Sequence, residues 1–177
     1  MLQDKFVNSF KILKAYCESE DFMGWDPFDG LNSSFFKRLP FLSNSRLARL
    51  VWIQLFKRNP INLRKIVGIH KEANPKGLGL FLNGYCNLYK IEPKAEYLEK
   101  IHYLAKKLIK LRTPGYSGSC WGYNFDWQSR AFFQPKYTPT IVATTFIGYA
   151  LMDAYDITGE VSYLDIAISS KDFILND

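Results

Sequence analysis

The sequence lacks the patterns that hold metals and disulfides. Its three cysteines, Cys17, Cys86 and Cys120, are odd in number and widely spaced, which argues against a disulfide framework and favours a reducing, cytoplasmic location. There are only two histidines, and no CxxC, HExxH or paired-histidine spacing occurs. We therefore predict neither a metal site nor a cofactor.

Features of membrane and nucleic-acid proteins are also scarce. The first residues lack the uninterrupted apolar region of a signal peptide, and the uncharged stretch 137–152 is too short for a membrane span. The net charge is +6, but no Lys/Arg tract is dense enough for a nucleic-acid arm, and much of the excess lies on amphipathic segments such as 94–112. We expect a solvated helix face there; attraction to anionic sugars, a membrane surface or nucleic acid is the alternative.

No convincing run of strand alternation occurs, and helical periodicity dominates the chain. Pro60 and Pro139 are placed where a proline can occupy the first turn of a new helix. The predicted helices span 2–20, 45–58, 61–69, 76–89, 93–112, 139–155 and 160–174.

An internal repeat organises these helices. Residues 89–98 and 155–164 share Tyr, Ile, Tyr and Leu at an offset of 66, and a weaker copy precedes Pro60. In each copy a nearly apolar helix ends, the chain turns tightly, and a more charged helix follows. We therefore predict an all-α fold, an α/α-hairpin array forming part of an α/α toroid. The inner helices would be 45–58, 76–89 and 139–155. Residues 1–177 would form a single domain, the N-terminal part of a longer toroid.

The loops before the inner helices repeat as well. Residues 28–36 align without gaps on 125–133, with Phe-Asp and Phe-Phe at the two ends, and Gly24-Trp25-Asp26 resembles Gly122-Tyr123-Asn124. Both loops should emerge at the same end of the array. The later loop, 117–138, is rich in aromatic rings and also carries one acid and one guanidinium, a combination suited to a polar, ring-shaped ligand.

Candidate site residues follow from these loops. Aromatic faces can stack on sugar rings while polar side chains bind hydroxyl groups, so the predicted substrate-binding residues are Trp25, Trp121, Tyr123, Trp127, Gln128 and Arg130. Carboxylates that face one cleft suit acid/base chemistry on a glycosidic bond, so the candidate catalytic residues are Asp126, Asp29 and Asp26. Structural roles are the alternative: a self-packed loop core, an Asp126–Arg130 ion pair, and turn-forming or helix-capping aspartates.

Three segments resemble α/α-toroid (six-hairpin-like) proteins of bacterial and archaeal surface-polysaccharide biosynthesis, most of them uncharacterised. They are 74–80 (NPKGLGL), 121–130 (WGYNFDWQSR) and 139–145 (PTIVATT). The resemblance implies a toroid fold and a carbohydrate role, with a saccharide or glycan as ligand, but no catalytic assignment. The expected function is a carbohydrate-handling protein, of hydrolase, lyase or epimerase type if it is an enzyme. The alternatives are a non-catalytic glycan-binding or scaffold module and, more remotely, a terpenoid-cyclase-like protein.

Overall fold

The computed structural model describes the backbone of residues 2–177 and the side chains of residues 4–177. The fold is all-α apart from one two-stranded hairpin. The helices are α1 (Leu2–Ser19), α2 (Ser34–Lys37), α3 (Pro40–Ser43), α4 (Arg46–Arg58), α5 (Pro75–Ile91), α6 (Ala95–Lys110), α7 (Ile141–Thr158) and α8 (Val161–Asn176). A 3-10 helix spans Asp29–Asn32, and strands β1 (Trp127–Gln128) and β2 (Phe133–Gln134) pair antiparallel.

Two helical hairpins, α5–α6 and α7–α8, enclose the main core. Each is joined by a tight turn, and Gly159 ends α7 with φ 68°, a left-handed conformation that glycine adopts without steric cost. Helices α5 and α7 pack directly against each other, with α6 and α8 outside them. The core that these helices share contains completely buried apolar side chains from α5, α6 and α7, among them Leu82, Ile101, Leu104 and Leu151. The hairpins predicted from the 66-residue repeat are therefore present.

Side-chain caps set where the two inner helices begin. The Asn74 side chain accepts a hydrogen bond from the Gly77 amide at 3.2 Å, and Thr140 accepts one from the Ala143 amide at 3.0 Å. The prediction that α7 starts at Pro139 was wrong by two residues. Pro139 lies before the cap, where it forms an isolated β-bridge with Gly122.

Helix α1 rests on the first hairpin through a few polar contacts and through Cys17, which packs against the main core. The Tyr85 hydroxyl donates to a Glu18 carboxylate oxygen at 2.7 Å, and Lys14 reaches Glu96 on α6 at 3.1 Å. The apolar face of α1 is only partly covered, since Phe6 remains 68% exposed.

The segment 28–69 forms a second, smaller core instead of a third hairpin. Leu31, Phe36 and Ile53 are buried together, and Trp52 stacks on Phe36 with ring centroids 4.8 Å apart. Helix α4 packs here, against the 3-10 helix, α3 and β1. The prediction that 45–58 is an inner helix is therefore wrong, because the buried face of α4 packs on this small core.

The predicted helix at 61–69 is also absent, and the segment forms successive turns. The Asn59 side chain accepts from the Ile61 amide at 3.0 Å, and Asn62 accepts from the Arg64 amide at 3.1 Å. Asparagine side chains that bind the backbone two residues ahead compete with helical hydrogen bonds. Two such bonds at the start of the segment favour turns over a helix.

All three cysteines are unpaired. Burial raises the pKa of Cys86 to about 12 and that of Cys120 to about 11, so both thiols stay protonated near neutral pH. Within residues 2–177 no helix is both long enough and apolar enough to cross a membrane.

Candidate functional site

Two long loops, the repeated segments 24–36 and 117–138, contact each other at one end of the molecule, next to the first turns of α5 and α7. Gly24 forms a β-bridge with Glu72, as Gly122 does with Pro139, so the two loops enter in the same way. The Asn32 side-chain amide donates to the Asn124 carbonyl at 2.8 Å, which joins one loop to the other. Their common location agrees with the repeat in the sequence.

After the β-bridges at Gly24 and Gly122, the two loops fold differently. Residues 28–36 form the 3-10 helix and the start of α2, whereas 125–133 lead into the hairpin of β1 and β2. Asp29 and Asp126, which align in sequence, consequently have different surroundings: Asp29 is buried and Asp126 is partly exposed. The sequence repeat therefore gives no structural equivalence between these two carboxylates.

An open cleft of about 480 Å³ lies between the loops and the first turns of α5. Four of its ten lining residues are aromatic. Trp127 packs edge-on to Phe28 with ring centroids 6.4 Å apart, and Tyr123 stacks on Phe125 at 5.5 Å. The rings of Phe28, Tyr123 and Trp127 are partly exposed, so each presents surface to the cleft. The remaining lining residues are Asp26, Pro27, Asn74, Lys76, Gly77 and Leu80.

Among residues 4–177, Asp26 is the one carboxylate that lines this cleft. Its Oδ1 accepts a hydrogen bond from the Phe28 amide at 2.9 Å, and its Oδ2 accepts one from the Asn74 side chain at 3.4 Å. Burial raises the pKa of Asp26 above its ordinary value, against the opposing effects of these hydrogen bonds and of the Arg64 charge. Asp26 is thus a partly desolvated carboxyl within reach of a ligand.

Asp29 does not line the cleft, and the structure does not support the catalytic role predicted for it. Its side chain is almost completely buried and accepts bonds from Arg64 Nε at 2.8 and 3.2 Å and from the Asp26 amide at 3.0 Å. Arg64 also donates to the Asp26 carbonyl at 3.0 Å. The Asp29–Arg64 pair holds the loop that carries Asp26, so Asp29 is a positioning residue.

Asp126 also has structural partners and lies outside the cleft lining. Its Oδ2 is 3.0 Å from Lys37 Nζ, and its Oδ1 accepts from the Lys136 amide at 2.8 Å. The alternative of an Asp126–Arg130 ion pair does not form, because the chain enters β1 at Trp127 instead of making a helical turn. The pairing of Asp126 with Asp26 or Asp29 across one cleft is not found.

Two of the predicted ligand contacts are interior residues. Trp121 is completely buried, and its indole N–H donates to the Leu108 carbonyl near the end of α6 at 2.8 Å. The Gln128 amide group donates to the carbonyls of Ser129 and Phe132, and its Oε1 accepts from Arg49 Nε at 2.8 Å. Trp121 has no accessible face for a ligand, so the structure corrects that prediction. The amide group of Gln128 is bonded within the protein, and the small accessible part of its side chain lines a neighbouring groove instead of the cleft.

Trp25 and Arg130, two further predicted ligand contacts, lie near the cleft without lining it. Trp25 donates its indole N–H to the Ile69 carbonyl at 3.1 Å, and Lys71 Nζ lies 5.1 Å from its ring centroid. Arg130 is exposed and lines a second groove of about 420 Å³ on the far side of the Phe28–Trp127 pair. Of the six predicted contacts, Tyr123 and Trp127 line the cleft itself, and Gln128 and Arg130 line the neighbouring groove.

Several residues of the cleft were not anticipated. Phe28, Asn74, Lys76 and Leu80 all line it. Asn74-Pro75 is a recognisable helix start, and that signal could have placed Asn74 and Lys76 beside the loops. No comparable signal marks Leu80, whose position depends on the rotation of α5 about its axis.

Among residues 4–177 there is no cluster of three or more groups that could hold a metal ion. No family model, curated protein or solved structure matches the chain. The geometry of the cleft is therefore the basis for assigning a function.

Proposed function

We propose that this protein binds a saccharide in the cleft between its two long loops. The observation that carries the proposal is the grouping of three partly exposed rings, Phe28, Tyr123 and Trp127, around the polar pair Asp26 and Asn74. Aromatic faces pack against the C–H faces of a sugar ring. A carboxylate accepts hydrogen bonds from hydroxyl groups, and an amide can both donate and accept.

The number of accessible carboxylates favours binding over glycoside hydrolysis. Hydrolysis of a glycosidic bond ordinarily needs two carboxyl groups on opposite sides of the bond. Of the carboxylates in the part of the chain that the structure describes, Asp26 lines the cleft, while Asp29 pairs with Arg64 and Asp126 with Lys37. A glycan-binding module is thus the function that the geometry supports best.

Single-residue acid/base chemistry is the second candidate, and it depends on Asp26. Burial raises the pKa of this carboxyl, which moves it towards the range in which a group exchanges protons near neutral pH. One such residue could remove a proton from a sugar carbon, as an elimination or epimerisation requires.

The wider architecture is also part of the proposal. The side-by-side hairpins α5–α6 and α7–α8, with α5 and α7 in contact, support an arrangement as part of an α/α toroid. Such an arrangement accords with the resemblance to surface-polysaccharide proteins. The three unpaired cysteines support a cytoplasmic location.

The decisive experiment compares Tyr123, which is partly exposed, with Tyr116, which is exposed. Tyr123 lines the cleft, whereas Tyr116 lies in the loop after α6 and packs on Phe173. The wild-type protein should bind members of a neutral and acidic oligosaccharide panel, measured by glycan array and then by calorimetry. Tyr123→Ala should weaken that binding about two- to tenfold, because one stacking contact is lost. Tyr116→Ala should bind as the wild type does.

Absence of binding to every member of the panel, or equal binding by both tyrosine variants, would contradict the proposal. Asp26→Asn then separates the two candidates. Loss of turnover with retained binding would establish acid/base chemistry. If the wild type converts no bound saccharide, the protein is a binding module.

A further inference from the structure

The positive charge of the chain is concentrated next to the cleft. Residues 30–71 contain nine basic residues and no acidic one, while the other 14 basic and all 17 acidic residues lie outside this segment. The helix-forming segment 94–112 accounts for a smaller excess, with six basic and two acidic residues. The nine are Lys37, Arg38, Arg46, Arg49, Lys57, Arg58, Arg64, Lys65 and Lys71.

Most of these cations are not neutralised within the protein. Arg64, Lys37 and Lys71 pair with Asp29, Asp126 and Glu20, all of which come from outside the segment. For residues 4–177, the other six cations have no carboxylate within salt-bridge distance. The segment is folded over the small core of Leu31, Phe36 and Ile53, against which Trp127 also packs, so its charge lies beside the cleft.

The groove on the far side of the Phe28–Trp127 pair is where this charge meets the candidate site. It holds about 420 Å³ between α4 and β1 and is lined by Arg58 and Arg130 together with the polar residues Gln54, Gln128 and Ser129. Within the described part of the chain, neither guanidinium contacts a carboxylate. Phe28 and Trp127 line the groove and the cleft alike, so one ligand can cross from one to the other.

We infer that the ligand of the cleft is an anionic saccharide, whose carboxylate or phosphate group binds Arg58 and Arg130 in the groove. This inference rests on the proposed function. A guanidinium matches the planar, two-oxygen edge of a carboxylate or phosphate, and two unpaired guanidiniums without a nearby acid favour such a group. The neutral rings of the same ligand stack on Tyr123 and Trp127.

The test uses matched pairs of probes that differ only in charge. Uronate-containing oligosaccharides are compared with their carboxyl-reduced forms, and phosphorylated oligosaccharides with their dephosphorylated forms, by calorimetry. The wild type should bind the charged member about tenfold or more tightly, as expected for one or two charge-assisted hydrogen bonds. The preference should shrink as salt is added. Whichever pair shows the larger preference identifies the anionic group.

Variants then assign the preference to the groove. The double variant Arg58→Gln/Arg130→Gln should lose most of the preference and bind the neutral members as before. Arg112→Gln is the matched control, since Arg112 lies at the end of α6 and bonds to Ile109 and Ser119. Tyr123→Ala should weaken binding of charged and neutral members equally.

Four other results would contradict the inference, and each has a different meaning. Equal affinity for charged and neutral members would leave saccharide binding intact and refute the anionic ligand. Charged probes that bind independently of Tyr123, or that are matched by polyglutamate, would show unspecific attraction. Binding of anionic phospholipid vesicles or DNA without binding of acidic saccharides would assign the basic segment to another partner. Failure to bind any saccharide would refute the proposed function as well.

Discussion

Trp121 and Trp127 lie six residues apart in one loop, yet they have opposite surroundings. Trp121 is enclosed by the hairpin core and bonds to α6, whereas Trp127 stands between Phe28 and Phe132 with part of its surface in the cleft. A tryptophan has both a large apolar surface and one donor, so either location satisfies it. Which location each ring takes depends on where the loop crosses the helices.

The interior position of Trp121 has a measurable consequence. Trp121→Ala should lower the free energy of unfolding by about 3–5 kcal/mol, because it leaves a large cavity in the core and removes a donor from the end of α6. Urea-induced unfolding measures this change. Phe41→Ala is the control, since that side chain is 92% exposed, and it should alter stability by less than about 0.5 kcal/mol. Similar losses in both variants would contradict the described placement of Trp121.

At the scale of the element, α5 and α7 approach each other closely at Gly79. A Cβ atom built on Gly79 would lie 3.1 Å from Ile147 Cγ1 and 3.4 Å from Ile147 Cα, so the two helices could keep their spacing only if Ile147 moved. Gly84, one and a half turns later on α5, has no atom within 4 Å of the same position. The two glycines therefore permit a matched comparison in one helix.

Replacing each glycine by alanine should have unequal effects. Gly84→Ala should stabilise the protein by about 0.5–1 kcal/mol, because alanine favours the helix and meets no neighbour. Gly79→Ala gains the same propensity but crowds Ile147, and we expect it to be less stable than Gly84→Ala by about 1–3 kcal/mol. Thermal and urea unfolding of both variants give the difference. Equal stabilisation would mean that α5 and α7 do not pack through Gly79.

Helix prediction succeeded where periodicity and local capping agreed. Helices α5, α6, α7 and α8 were each predicted to within about three residues at either end, because apolar spacing and turn residues pointed to the same boundaries. It failed at 61–69, where asparagine side chains bind the backbone, and at the hairpin β1–β2, whose strands are too short to show alternation. Local pattern does not report these competing interactions.

At the scale of the whole molecule, one contact between α1 and the first hairpin depends on the charge of Glu18, which accepts a hydrogen bond from Tyr85. Burial by itself would raise the pKa of Glu18, but hydrogen bonds from Tyr85 and Lys14 and the charges of Lys14 and Lys100 outweigh it and lower the pKa. A carboxyl with a lowered pKa in the folded state contributes stability above its unfolded pKa. That contribution is lost as the pH falls through the folded value.

Glu18→Gln should therefore make the stability of the protein less dependent on pH. The variant should be less stable than the wild type at about pH 7 and should lose less stability on acidification to about pH 3. Urea unfolding across this range measures both effects. Glu99→Gln, which removes an exposed carboxyl from α6, should follow the wild-type profile. If Glu18→Gln follows it too, the Glu18–Tyr85 contact does not stabilise α1.

The sequence predicts the location of the candidate site more accurately than it predicts which residues line it. The repeated loops indicated the correct end of the molecule, and Asp26, Tyr123 and Trp127 do line one cleft. Asp29 was assigned to catalysis because its residue type suits it, but Arg64, which is 35 positions away, occupies its carboxylate. A partner so distant in sequence leaves no trace in the local pattern of either segment.

The sequence by itself determined the all-α fold class, the two helical hairpins and the loops in which aromatic and acidic residues gather. These follow from periodicity, caps and turns, which act over a few residues. Only the tertiary structure decided that α4 packs on a separate small apolar core, that Trp121 and Gln128 are buried, and that Asp26 is the carboxylate in the cleft. Those outcomes depend on burial and on partners brought together from distant segments, and the energies involved are set by neighbours in space.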